Sequence, residues 1–254
     1  MLQLGKKYIA AFILAFGFIF SAGLKTTASA IDISISPPPI PWFEFQKSQF
    51  DLKLGLTYIS LSGKSDNSDL SFDGGGLLLT GRYAFNNYFG LDLSSAFMGG
   101  GGDIGDAGIG VFIWSGMTNL EIQIVNREKF CFILFLGLNR SYASISVTPY
   151  NSYTRSVELW LFGFQGGLQA SLKLGYITLS PWFMIQSMSG DVAVDGKETS
   201  VDSFTVQTFG IDIVFVPAGI TLSGILQNKP KSDNDSQAFI LSVSYDFQWG
   251  GTRD

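Results

Sequence analysis

The sequence predicts an all-β protein, an antiparallel up-and-down transmembrane β-barrel of ten strands, with eight as the alternative. Three observations carry that expectation. Apolar residues recur with period two from about residue 48 onward, the spacing of a strand with two unlike faces. The connectors between these segments are short and long in strict turn. Hydrophobic residues make up 46% of the 254 residues and charged ones only 15%, with a mean hydropathy of +0.26. Beyond residue 30 the longest apolar run is Phe130 to Leu138, far short of the roughly 20 residues a spanning helix needs.

Residues 1–30 read as a secretory signal. Lys6 and Lys7 precede an apolar run from Tyr8 to Ala22, and Ala28-Ser29-Ala30 offers a small-x-small cleavage site, the three-part pattern of a cleaved leader. Loss of Lys6, Lys7 and Lys25 with that leader takes the formal net charge from −5 to −8. Residues 31–47 hold Pro37, Pro38, Pro39 and Pro41, which forbid helix and favour an extended lead-in on the periplasmic side. A docking peptide for a periplasmic partner is the sharper alternative. Nucleic acid is not an expected partner, since phosphate neutralisation needs a basic surface.

The expected barrel covers 48–249, followed by a short tail at 250–254. Its strands are read at about 48–62, 74–85, 88–98, 109–125, 129–145, 157–174, 176–188, 203–216, 219–228 and 237–249. The last is the plainest: Phe239, Leu241, Val243, Tyr245, Phe247 and Trp249 share one face, opposite Ser242, Ser244, Asp246 and Gln248. Short connectors fall at Asn86-Asn87, 126–128, Gly175 and Pro217-Ala218; long ones fall at 63–73, 99–108, 146–156, 189–202 and 229–236. Short periplasmic turns and longer outer loops on an even number of strands describe a barrel of the outer membrane. Lipid offers the backbone no hydrogen bonds, so such a sheet must close. Aromatics fall where two girdles belong. Phe50, Tyr83, Phe85, Phe89, Phe130, Phe215, Phe247 and Trp249 lie near the inner ends, and Tyr58, Phe97, Trp114, Tyr142, Trp160 and Phe183 toward the outer.

A leader, alternating strands and a final strand ending Tyr245-x-Phe247-x-Trp249 resemble the outer-membrane β-barrel proteins of Gram-negative bacteria, a porin-like cell-envelope family. The resemblance covers about 48–249 and points to no subfamily. It implies that Tyr245, Phe247 and Trp249 form the assembly signal read by the barrel assembly machinery. Gly250 to Asp254 extend beyond that aromatic end, a departure from the usual family pattern.

Composition narrows the chemistry. The chain has no His and a single Cys, Cys131, which removes Ser-His-Asp and Cys-His nucleophile systems, His-bearing zinc sites and any intrachain disulfide. The barrel enzymes of the resembling family that rely on histidine find no counterpart here, so the expectation is no catalytic residue, no metal and no cofactor, with a carboxylate pair acting without histidine as the enzymatic alternative. The Gly74–Gly76 and Gly99–Gly102 clusters neither open a helix nor precede Lys-Ser/Thr, so they are expected to be mobile loop ends rather than phosphate cradles.

The candidate site is the lumen. Lys53, Arg82, Asp92, Glu121, Lys173, Asp212 and Asp246 lie on the face opposite the apolar stripe, close to the inner strand ends. They are expected to share one layer, extended by Gln123, Asn139, Gln165 and Gln169. Near-balanced charge in a narrow interior suits a structural network that closes the lumen, because an unpaired buried charge is costly; an ion-selective constriction is the alternative. The long connectors carry eleven acidic residues against five basic ones. They read as a hydrophilic rim, with cation bridging to lipopolysaccharide phosphates, or contact with an external partner, as the alternative. The function expected is therefore non-enzymatic, structural or surface-interacting, in contact with outer-membrane lipid and lipopolysaccharide; a narrow pore for ions or small solutes is the rival.

Overall fold

The computed structural model describes residues 47–65, 68–104, 107–148, 155–228 and 236–250. The expected leader, nearly all of the expected Pro-rich lead-in and residues 251–254 lie outside that set. Ten strands follow in order: β1 (Gln49–Ser65), β2 (Ser68–Ala84), β3 (Phe89–Ile104), β4 (Ala107–Arg127), β5 (Phe130–Thr148), β6 (Arg155–Leu174), β7 (Ile177–Val194), β8 (Lys197–Phe215), β9 (Ile220–Asn228) and β10 (Ser236–Trp249). Each pairs antiparallel with its sequence neighbour, and β1 pairs with β10 from Phe50↔Trp249 to Gly63↔Ser236. The sheet therefore closes with ten strands, and the eight-strand alternative falls. Closure leaves no unpaired edge, as a sheet in lipid requires.

The inner ends turn tightly, each by its own local chemistry. Asn86 Oδ1 accepts hydrogen bonds from the amides of Tyr88 at 2.8 Å and Phe89 at 2.9 Å, an Asx turn between β2 and β3. Between β8 and β9, Val216–Ala218 form one 3-10 turn with Pro217 near its start, ended by Gly219 at φ 62°.

The outer ends differ from the expected loops. Strand continues through most of 63–73, 99–108 and 189–202, so β4 reaches 21 residues where about 9–11 suffice to cross a bilayer. β7 and β8 are joined by Asp195 at φ 48° and Gly196 at φ 80°, the left-handed pair of a two-residue hairpin turn. The glycine clusters also lie in strand: Gly74 pairs with Gly100, and Gly75 with Gly99. They are ladder positions rather than loop ends. Apolar alternation fades in these segments because their outward side chains no longer face lipid, yet the backbone ladder runs on. Seven residues of β4 beyond Trp114, at about 3.3 Å each and a tilt near 40°, carry the wall some 18 Å past the outer aromatics.

Candidate functional site

The wall changes character along its height. In the inner half, apolar side chains point outward and polar ones inward: on β6, Phe164 is 67% exposed while its neighbour Gln165 is 4% exposed. Beyond the outer aromatics the pattern reverses. Ile109, Val111, Ile113, Ala143, Ile145, Leu159, Leu161 and Met188 are buried inside, whereas Ser144, Ser146, Ser156, Glu158, Ser189 and Asp191 lie outside. One continuous sheet thus serves two solvents. Where lipid surrounds it the apolar face must be outside; where water surrounds it the same burial rule places that face inside, each large aliphatic contributing roughly 1.5–3 kcal/mol. This apolar outer lumen was not anticipated. Its signal is present in the sequence as a phase flip, for example on β4, where the apolar set passes from 109, 111 and 113 to 114, 120, 122 and 124.

The inner lumen holds the charged layer. Lys53, Arg82, Asp92, Glu121 and Asp212 are all buried, projecting from β1, β2, β3, β4 and β8. Arg82 donates through Nε to a Glu121 carboxylate oxygen as a salt bridge. Asp92 accepts from Ser94 Oγ at 2.8 Å and from Asn119 Nδ2 at 3.4 Å. Lys53 lies within electrostatic reach of Asp212. Asp246 is half-buried and accepts from Thr221 Oγ1 at 2.6 Å.

Lys173 departs from the expected layer. Its side chain is exposed because β6 ends one residue later, so the position falls at the inner rim. Asp51 takes a place the sequence reading had not assigned. It is buried, within electrostatic reach of Arg82, and accepts from Gln49 Nε2 at 3.2 Å. The fully buried groups are then four carboxyl groups and two cationic ones.

An uncharged polar net crosses the adjoining strands. Gln165 donates to Asn119 Oδ1 and accepts from Asn139 Nδ2 at 3.3 Å and Gln186 Nε2 at 3.0 Å. Gln123 and Gln169 are also buried. Asn119 and Gln186 were missed, though their inward parity on β4 and β7 could have found them. Two rings reach inward among these groups, and each lies over a glycine on the neighbouring strand. A Cβ at Gly210 would come within 2.2 Å of Trp182 Cε2, and one at Gly167 within 2.3 Å of Phe135 Cζ. These glycines make room for rings in a lumen too narrow to seat them otherwise.

Tyr245, Phe247 and Trp249 stand exposed on the outer face of β10. Their rings form a continuous row: Tyr245 meets Phe247 edge to face at 4.7 Å, Phe247 stacks on Trp249 at 5.8 Å, and Trp249 stacks on Phe50 across the β1–β10 seam at 5.8 Å. Among the described residues no group of three or more His, Cys, Asp and Glu side chains could hold a metal ion.

No family model and no curated protein sequence matches the chain. Solved structures do. The outer membrane protease OmpT from Escherichia coli aligns with a TM-score of 0.53 at 9% identity, over 85% of this chain and 99% of that one. The translocator domain of autotransporter NalP from Neisseria meningitidis aligns at 0.44 and 11%, over 95% and 98%. Ail, the attachment invasion locus protein of Yersinia pestis, aligns at 0.34 and 14%, over 79% and 99%. At such identity the likeness to the protease concerns the fold alone. A wall that is apolar outside over the height of a bilayer needs a membrane around it, so the chain is a closed ten-stranded transmembrane β-barrel, and it shares its barrel fold with that outer membrane protein.

Proposed function

We propose that this protein is a non-enzymatic barrel whose lumen is plugged by its own side chains, with a structural or surface-interaction role. The observation that carries the reading is the filling of the lumen. Arg82, Lys53, Trp182, Phe135, Ile59 and Phe72 are among the largest fully buried side chains, and all point inward. A ten-stranded interior is little wider than the eight-stranded one that side chains fill, and far from the 16–18 strands of an open porin. The charged layer and the apolar outer core then form two successive seals of opposite chemistry. Exclusion of histidine chemistry supports the non-enzymatic part. The wall projecting beyond the outer aromatics supports a role at the cell surface.

A second reading, a narrow pore, draws on the excess of buried carboxyl groups over cations, which would favour cations in transit. Planar-bilayer recording of the refolded protein separates the two. The plugged reading expects no unitary conductance, and a steady cation-preferring current from the wild type would overturn it.

A further inference from the structure

The outer face of the barrel carries a furrow of about 670 Å³ running across β1 to β6. Its course follows the hydrogen-bonding direction. One row of outward positions reads Leu79, Ser95, Gly116, Arg140 and Phe162 across successive strands, with Leu52, Gly81, Leu93, Thr118 and Leu138 parallel to it. Five interstrand steps of about 4.8 Å give a length near 24 Å. Because the strands tilt by roughly 40°, the furrow climbs as it goes. It starts beside Phe50 at the inner girdle and ends at Arg140 and Phe162.

Arg140 is the unexpected member. It lies outward on a strand whose inward neighbours, Asn139 and Ser141, are buried, and it is itself exposed. Ten residues separate it from Phe130 at the inner end of β5, about 25 Å of height at that tilt, which is the full apolar band. The guanidinium therefore stands at the outer edge of the bilayer. Charge is tolerated there but strongly disfavoured deeper. Its carbon is 5.7 Å from the Trp160 ring centroid, and Trp160 packs against Tyr142 at 4.2 Å. Among the described residues no carboxylate pairs with it. Trp114 donates from Nε1 to Ser95 Oγ at 3.0 Å, holding its indole at the rim of the furrow. The arrangement is an apolar channel long enough for one extended acyl chain, opening on a single cation at phosphate height. A guanidinium fork matches phosphate oxygens bidentately.

We propose that this furrow is a lipid site in which one acyl chain of a phosphorylated outer-leaflet glycolipid, of the lipid A type, lies along β1–β6 with its phosphate on Arg140. The outer height of Arg140 selects the outer leaflet, and with it the glycolipid rather than a phospholipid. The inference rests on the outer-membrane placement and on the orientation with short turns inward, and it is independent of whether the lumen is plugged.

The test is native mass spectrometry of the detergent-purified full barrel, titrated separately with diphosphorylated lipid A, its dephosphorylated form and phosphatidylglycerol. One retained lipid A per barrel is expected from the wild type, with at least ten-fold weaker retention of the other two. Arg140→Gln should weaken lipid A retention about ten-fold, and Arg140→Lys should restore part of it. Gly81→Leu tests the channel with the charge intact, since a Cβ there meets only the Phe50 ring, at 3.8 Å; it should weaken retention while heat-modifiable gel migration stays normal. Equal retention by Arg140→Gln and wild type, or by phosphorylated and dephosphorylated lipid, overturns the phosphate contact. Full retention by Gly81→Leu overturns the acyl channel, and phosphatidylglycerol binding as tightly as lipid A overturns the glycolipid assignment. Conductance of the same preparations reports on the lumen separately, so failure of the plug and failure of the lipid site are distinguishable.

Discussion

Arg82 shows what a single side chain must do in a closed lumen. It is buried and tied to Glu121, with Asp51 and Asp92 on the strands to either side. Truncation to Ala strands the Glu121 carboxylate where little solvent reaches it, a break that typically costs about 3–5 kcal/mol. The expected outcome for Arg82→Ala is a clear fall in denaturation midpoint, with conductance rising from near zero. A pore would instead show wild-type current, altered selectivity in the variant and little loss of stability. Glycine has an equally local task at Gly210. Gly210→Ala drives a Cβ into the Trp182 ring and should lower stability by about 1–3 kcal/mol, with a change in tryptophan emission. Gly224→Ala is the control, because nothing lies within 4 Å of a Cβ there; it should shift the midpoint by no more than about 0.5 kcal/mol.

At the scale of the strand, the lesson is how far each element runs past the bilayer. The β7–β8 hairpin closes at Asp195-Gly196, well beyond the outer aromatics, whereas β2 and β3 are joined by the tight Asn86 turn at the inner end. A short epitope inserted at Gly196 should be reached by antibody on intact cells, and one inserted between Asn86 and Asn87 only after the envelope is opened. Labelling in the reverse sense would invert the orientation. Most strand centres were legible, since alternation such as Leu52-x-Leu54-x-Leu56 is imposed by lipid on one side. The outer thirds of β2, β3, β7 and β8 were not. Their glycines, serines and acidic residues resemble loop composition, and only the register with the neighbouring strand reveals them as ladder.

For the molecule as a whole, the ring of ten pairings stabilises every strand through both neighbours, so unfolding must open the entire sheet. The protein should therefore run as a compact, faster band on SDS gels until boiled, with β-rich circular dichroism in detergent. A water-soluble monomer obtained without detergent would sink the membrane placement. The charged layer was partly legible at this scale. Inward parity on separate strands pointed to Lys53, Arg82, Asp92, Glu121 and Asp212, but parity alone does not locate a residue along the barrel axis. Lys173 shares the parity and still falls at the rim, while Asp51 lies inside.

Period-two alternation, connectors of alternating length and the want of any helix-length apolar run beyond residue 30 pointed by themselves to a membrane barrel, with ten strands expected and eight the alternative. Those signals are local, because each residue's polarity answers to the solvent on its own side of the wall. The tertiary structure alone decided three matters: that Arg82 pairs with Glu121, that the lumen turns apolar above the aromatics, and that Arg140 faces lipid at the head of a furrow. Each depends on strand shear and tilt, which bring residues far apart in sequence to one height, and no single strand carries that information.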